Sequence, residues 1–145
     1  MAELRAILDL AGPYRIALVG SDGLGEALAN STLLRDHGFE IAAAFELNND
    51  RVGKALGTTV VSDYAEMQKV VRAQAIIAAV LTVPAEVAQR ATDDLAAAGV
   101  QVIFNYTEAL LKAPQGVLIH THNPAGELLT GLHAYLARKP SQREA

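Results

Sequence analysis

The sequence predicts a three-layer α/β domain built on a doubly wound, mainly parallel sheet. Three observations carry that prediction. Strand-like and helix-like segments alternate from residue 13 to residue 138, the pattern of a parallel sheet with crossover helices. Residues 75–83 form a nearly continuous apolar run, which suits a strand covered on both faces. A glycine-rich turn, Gly20-Ser21-Asp22-Gly23-Leu24-Gly25, separates the first strand from the first helix. With 145 residues, 51% of them hydrophobic, the chain suits one domain with one core.

The elements follow in order. Leu4, Ile7, Leu8 and Leu10 give an amphipathic helix over residues 1–12 that Gly12-Pro13 stops. Residues 15–20 read as a short buried strand. Helical spacing then runs from Leu24 to Arg35, with Gly38 at its end. Residues 40–46 make the second strand, residues 52–56 a short helix ended by Gly57, and residues 59–61 the third strand. Asp63 with Glu66 three residues later has the form of a capping box and opens a helix to Arg72. After the strand at 75–83, Pro84 begins a helix that Gly99 ends. Residues 100–104 form the fifth strand, residues 108–112 a short helix and residues 117–119 the sixth strand. Asn123-Pro124 caps a final helix to Arg138. The domain proper is thus expected over 13–138, with a disordered tail over 139–145. Six strands fit the order 3-2-1-4-5-6.

Composition excludes several classes. No run reaches the roughly 18 apolar residues of a membrane span, and the charged N-terminus does not read as a secretion signal. Cysteine is absent, which removes disulfides, thiol nucleophiles and Cys-based metal sites. A cytoplasmic protein is the expectation. The net charge is −4 and Lys and Arg are scattered, so direct binding to DNA is disfavoured.

The glycine turn carries the candidate chemistry. In a Rossmann-type domain this turn lets the backbone approach a pyrophosphate. Glu46 ends the second strand, 21 residues after Gly25. An acid there can accept hydrogen bonds from a ribose diol and repels a 2′-phosphate, which favours NAD(H) over NADP(H). The common pattern is G-x-G-x-x-G. Gly20 and Gly25 are its first and third glycines, and Asp22 occupies the second. A carboxylate roughly 4–5 Å from a phosphate costs about 3–4 kcal/mol at an effective dielectric near 20, and Gly23 offers the loop a pivot. The alternative is a turn that keeps its glycines for strand–helix packing.

Taken together, several stretches resemble the nucleotide-sensing half of the redox-sensing repressor family Rex. They are Val19–Gly25 with Ala27–Asn30, Gly38–Glu46, Arg51–Lys54, Val83–Gln89, Ala98–Val100, Ile103–Asn105, and Glu127–Leu129 with Ala134–Leu136. The resemblance spans residues 4–138. It implies a Rossmann-type fold and a sensor of NADH/NAD⁺ that lacks the family's DNA-binding winged helix. Its ligand site would comprise Gly20, Ser21, Asp22, Gly23, Leu24, Gly25, Glu46, Val83, Pro84, Asn105 and Tyr106. It also implies a homodimer in which the C-terminal helix is exchanged between protomers. Three positions depart from the family: Asp22 in place of glycine, Asn123 in place of an acid, and Tyr106-Thr107-Glu108 in place of a more apolar segment.

The remaining polar residues point to no reaction. His120 and His122 alternate on a strand about 7 Å apart, a spacing that also fits a polar strand edge, and no metal is expected. His37 suits a helix C-terminus. Asp93 and Asp94 are adjacent on a helix and diverge. No serine lies in a nucleophile elbow and there is no room for a substrate domain, so a binding module acting through a partner is expected, not an enzyme. Two alternatives to NAD(H) stay open. One is CoA or another adenine nucleotide, with Arg51 or Lys54 meeting its extra phosphate. The other is a scaffold that dimerises and binds nothing.

Overall fold

The computed structural model describes residues 14–21, 23–122 and 131–138. The expected N-terminal helix, Asp22, the Asn123-Pro124 cap, Leu128, Leu129 and the tail lie outside the described residues. The strands are β1 (Tyr14–Val19), β2 (Phe39–Glu46), β3 (Ala55–Leu56), β4 (Thr59–Asp63), β5 (Ala78–Leu81), β6 (Val102–Asn105) and β7 (Leu118–Thr121). The helices are α1 (Leu24–Ala29), α2 (Thr32–Asp36), α3 (Met67–Ala73, led in by a 3₁₀ turn at Tyr64–Glu66) and α4 (Ala85–Ala97). A further helix spans residues 131–136. No described helix is long and apolar enough to cross a membrane.

The sheet order is β3-β4-β2-β1-β5-β6-β7. Every pairing is parallel except that of β3 with β4. The chain therefore runs outward from β1 in one direction, returns, and runs outward from β5 in the other. This reversal places a crevice between β1 and β5 at the C-terminal ends of the strands, where such sheets bind ligands.

Alternation along the strands builds a core on each face. Ile16 and Leu18 of β1 pack with Ile41, Ala44, Val61 and Val80 beneath α1 and α2. Ala17 and Val19 point the other way and meet Phe45, Met67, Val71, Leu81 and Leu95 beneath α3 and α4. Ile16 pairs with Ile41 but Ala17 with Ala43, so β2 carries an extra residue there. That bulge puts Ala42 and Ala43 on the same face, with Ile41 and Ala44 on the other. Beyond β5 the first face is thinly covered: Phe104 is half-buried, and Leu118 and His120 are exposed.

Four expectations are corrected. Residues 52–56 do not form a helix. Gly57, at φ +58°, closes a tight turn that folds Ala55–Leu56 back onto Leu56's neighbours Thr59 and Val60, and the carbonyl of Ala29 leaves no space for a Cβ at Gly57. The helix expected over 24–35 breaks at Asn30-Ser31, where α1 ends and α2 begins; both residue types favour caps over helix interiors. The strand expected from residue 75 starts at Ala78, because Gln74, Ala75 (φ +51°) and Ile76 cap α3, with the Ile76 N–H donating to the Val71 carbonyl. Residues 108–112 are irregular. There the Lys112 N–H donates to Gln89 Oε1 and Gln89 Nε2 donates to the Lys112 carbonyl, which hangs the loop on α4 instead of on its own backbone.

The capping signal at Asp63 holds in part. Its Oδ1 accepts from the Ala65 N–H at 2.9 Å and starts the 3₁₀ turn before α3. Tyr64 then packs in the core and donates its hydroxyl to Asp94 of α4, with the Arg90 guanidinium over the ring at 5.2 Å. Burial and the Asp94 carboxylate both push the Tyr64 phenol above its ordinary range.

Candidate functional site

The last rungs of the sheet bring the candidate residues to one edge. The Gly20 N–H donates to the Phe45 carbonyl, the Thr82 N–H to Val19, the Tyr106 N–H to Leu81 and the His122 N–H to Asn105. Gly20, Ser21, Glu46, Thr82, Val83, Pro84, Asn105 and Tyr106 therefore line the C-terminal edge across β2, β1, β5 and β6. Pairing extends the ladder one residue past each strand, so the positions follow from the register alone.

Gly20 and Gly25 are glycines because of packing. Gly20 has φ +99°, and a Cβ on it would lie 2.5 Å from Thr82 Oγ1 and 2.7 Å from the Thr82 carbonyl oxygen. A Cβ on Gly25 would lie 2.4 Å from the Gly20 carbonyl oxygen. Thr82 completes this fit by donating its hydroxyl toward the carbonyls of Gly20 (3.0 Å) and Val19 (3.2 Å). Gly23 differs: it has φ +51°, and a Cβ there would meet nothing within 4 Å. The turn is thus closely packed at Gly20 and Gly25 and open at Gly23. Leu24 begins α1 and is exposed.

Glu46 is nearly buried, at 9% exposure. Its Oε1 accepts from the Ser21 N–H at 3.0 Å and from the Ser21 hydroxyl at 3.1 Å, and its Oε2 accepts from the Asn48 N–H at 3.0 Å. Burial pushes its pKa up. Donation from Asn48, from the Ser21 N–H and hydroxyl, and from the Leu47 N–H together outweighs burial and holds the carboxyl below its ordinary value. Arg51 Nη1 donates to the Ser21 carbonyl at 3.3 Å, placing a cation beside the same turn. The carboxylate thus ties the end of β2 to the glycine turn, a role the spacing to Gly25 did not reveal.

This has a pH consequence. A carboxyl with a lowered folded pKa contributes stability that is present above its unfolded value and lost as pH falls through the folded one. Glu46→Gln is expected to unfold about 1–3 kcal/mol more easily at pH 7, and the gap is expected to close in acid below the ordinary carboxylate range. Urea unfolding at pH 7 and pH 3 checks this; a gap of the same size at both would contradict it.

The far half of the edge is built differently. Val83 is buried and packs in the α3–α4 core, and Pro84 is exposed at the cap of α4. Asn105 is fully buried. Its Oδ1 accepts from the Thr107 N–H (2.9 Å) and hydroxyl (2.6 Å), and its Nδ2 donates to the Ala109 carbonyl (3.1 Å). These bonds use the amide to shape the loop after β6. Tyr106, at the start of that loop, is exposed and stacks edge-on with His122 at 5.5 Å, as His120 does with Phe104 at 6.0 Å. Among the described residues no group of three or more His, Asp or Glu side chains is placed to hold a metal. Sequence reasoning missed Thr82. Its one signal was its place at the end of the apolar run, immediately before the Val83-Pro84 pair. A pocket of about 250 Å³ lined by Leu28, Leu34, Phe39 and Ile41 lies instead beside the N-terminal half of β2, away from the glycine turn.

Comparison with known proteins places the fold in a family. Residues 12–109 match the CoA binding domain family. The redox-sensing transcriptional repressor Rex of Rubrobacter xylanophilus is 36% identical over 142 residues, covering 98% of this chain and 65% of the relative. Its counterpart in Lactobacillus acidophilus is 37% identical over 130 residues, covering 90% and 62%. The Rex-family repressor RSP, solved in complex with β-NAD⁺ and operator DNA, superposes with a TM-score of 0.80 at 27% identity, covering 92% of this chain and 61% of that one. RSP in complex with β-NADH gives 0.77 at 27% identity, covering 92% and 64%. The chain therefore spans somewhat under two thirds of the length of these relatives.

Proposed function

This chain belongs to the CoA binding domain family, and from that membership, its likeness to the Rex repressors and the geometry of its sheet edge we propose that it is an NAD(H)-binding sensor domain of the Rex type. The observation that carries the reading is the junction of the glycine turn with Glu46 at the β1–β5 crevice. Gly23 leaves the middle of the turn without a Cβ and without a neighbour within 4 Å. The Glu46 carboxyl is held below its ordinary value by the Ser21, Asn48 and Leu47 donors at the end of β2. A turn without a Cβ at Gly23 and an acid at the end of β2 fit the pyrophosphate and ribose of a dinucleotide. In this reading Gly20, Ser21, Gly23, Leu24 and Gly25 face the phosphates and Glu46 meets the adenosine ribose. Val83, Pro84 and Tyr106 bound the other half, and Asn105 acts by holding the loop that carries Tyr106.

The domain acts by binding and not by catalysis, and no reacting group is assigned. Its net charge of −4 assigns it no DNA contact of its own. It works as a homodimer through its last helix. Residues 131–138 are all exposed, Leu132, Tyr135 and Leu136 among them, while Phe104 and Leu118 are incompletely covered on the sheet. An apolar helix stripe and an apolar sheet face, both left exposed or half-exposed among the described residues, are what an exchanged helix would bury in a symmetric pair.

One observation favours CoA as a second reading. Arg51 stands beside the ribose end of the site, where CoA carries a phosphate that NAD(H) lacks. Nucleotide titrations separate the two. NADH is expected to bind about tenfold or more tightly than NADPH, since the Glu46 carboxylate repels a 2′-phosphate, and Glu46→Ala is expected to narrow that ratio. Equal affinities in the unaltered protein would remove the role assigned to Glu46.

A further inference from the structure

We propose that the hydroxyl of Ser21 competes with a nucleotide's ribose for Glu46, so that this side chain sets how tightly the ribose end of the site binds. The inference rests on the nucleotide reading above and concerns the protein's own share of that contact. An ionised carboxylate offers about two acceptor positions on each oxygen. Both positions on Glu46 Oε1 are taken by Ser21, one by its N–H and one by its hydroxyl, Oε2 holds the Asn48 N–H, and the Leu47 N–H also donates to the carboxyl. A carboxylate that grips a vicinal diol presents one oxygen to each hydroxyl, and here Oε1 has no position left.

The two donors of Ser21 are not equally able to yield. Its N–H is fixed, because the neighbouring Gly20 N–H is bonded to Phe45 and Gly20 is wedged against Thr82. Its carbonyl is held by Arg51. The hydroxyl needs only a rotation about χ1 to leave. Ser21 is 1% exposed, so the departing hydroxyl has no ready access to bulk water and must find another partner or go without. That cost falls on the nucleotide's affinity. Ser21 is in this sense an internal substitute for a ribose hydroxyl, and it also helps to keep Glu46 ionised and in place.

Replacing Ser21 removes the competing hydroxyl and keeps the backbone donors to the carboxylate. Ser21→Ala is expected to bind NADH about five- to tenfold more tightly, a change the size of one neutral hydrogen bond. Ser21→Cys, which nearly keeps the volume and donates weakly, is expected to fall between. In a Glu46→Gln background the gain from Ser21→Ala is expected to vanish, because the two side chains act as one unit. A carboxyl ¹³C NMR titration without nucleotide gives an independent readout: Ser21→Ala should raise the pKa of Glu46. NADH binding that is unchanged or weaker in Ser21→Ala, with the unaltered protein binding NADH, overturns the competition and leaves the nucleotide reading standing. Failure of both proteins to bind NADH saturably overturns the nucleotide reading, and the competition with it.

Discussion

Gly20→Ala is expected to unfold about 2–6 kcal/mol more easily than the unaltered protein and to lose measurable NADH binding. Two costs add. At φ +99° any side chain is strained by about 1–3 kcal/mol. The new Cβ would also lie 2.7 Å from the Thr82 carbonyl oxygen, a backbone atom of β5's extension that cannot turn aside, and overpacking of this kind costs about 1–3 kcal/mol. Relief requires the turn to move off β5, which opens the crevice between β1 and β5. Gly23→Ala is the control. It shares a positive φ, but its Cβ meets nothing within 4 Å, so only the backbone strain of about 1–3 kcal/mol is expected there. Thermal unfolding of the two variants side by side measures the difference. Similar losses in both would mean that backbone freedom, and not contact with Thr82, fixes glycine at position 20.

The second large effect concerns assembly. Leu132→Asp combined with Leu136→Asp is expected to convert the protein from a pair of 15.3 kDa chains to monomers or to insoluble material. Both leucines are half exposed on the last described helix, at 51% and 52%, and lie four residues apart on one stripe. On a monomer these changes would cost little, since exposed positions tolerate charge. In an exchanged-helix dimer each would bury an unpaired carboxylate at the interface, at a cost of several kcal/mol per protomer. Light scattering at tens of micromolar reads the outcome. A soluble dimer in the doubly substituted protein would place the interface elsewhere, and a monomer in the unaltered protein would remove the proposed assembly.

Much of the fold was legible because it depends on local patterns. Buried parallel strands announce themselves as short apolar runs, and the turn between β1 and α1 by its glycines. The order of the sheet then follows from right-handed crossovers. The failures share a cause. Residues 52–56 have helical composition, but Gly57 packs against Ala29, 28 residues away, and that contact selects a hairpin. Residues 108–112 lose their helix to a pair of hydrogen bonds with Gln89. In both cases a tertiary contact overrides local propensity. The site divides in the same way. The spacing from Gly25 to Glu46 was readable as a nucleotide signature, but the carboxylate's bonds to Ser21 and Thr82's fit against Gly20 join residues 25 and 62 apart. No window of sequence contains either pair. Family likeness points to Asn105 as a ligand contact, and its buried amide also holds its own loop.

The central claim is that the edge built from the glycine turn and Glu46 receives NAD(H). Isothermal titration of NADH into the unaltered protein, repeated with CoA already present, tests it most directly. The account predicts saturable binding of one NADH per chain, displaced little by CoA. Binding of CoA with no heat from NADH at millimolar concentration would contradict it.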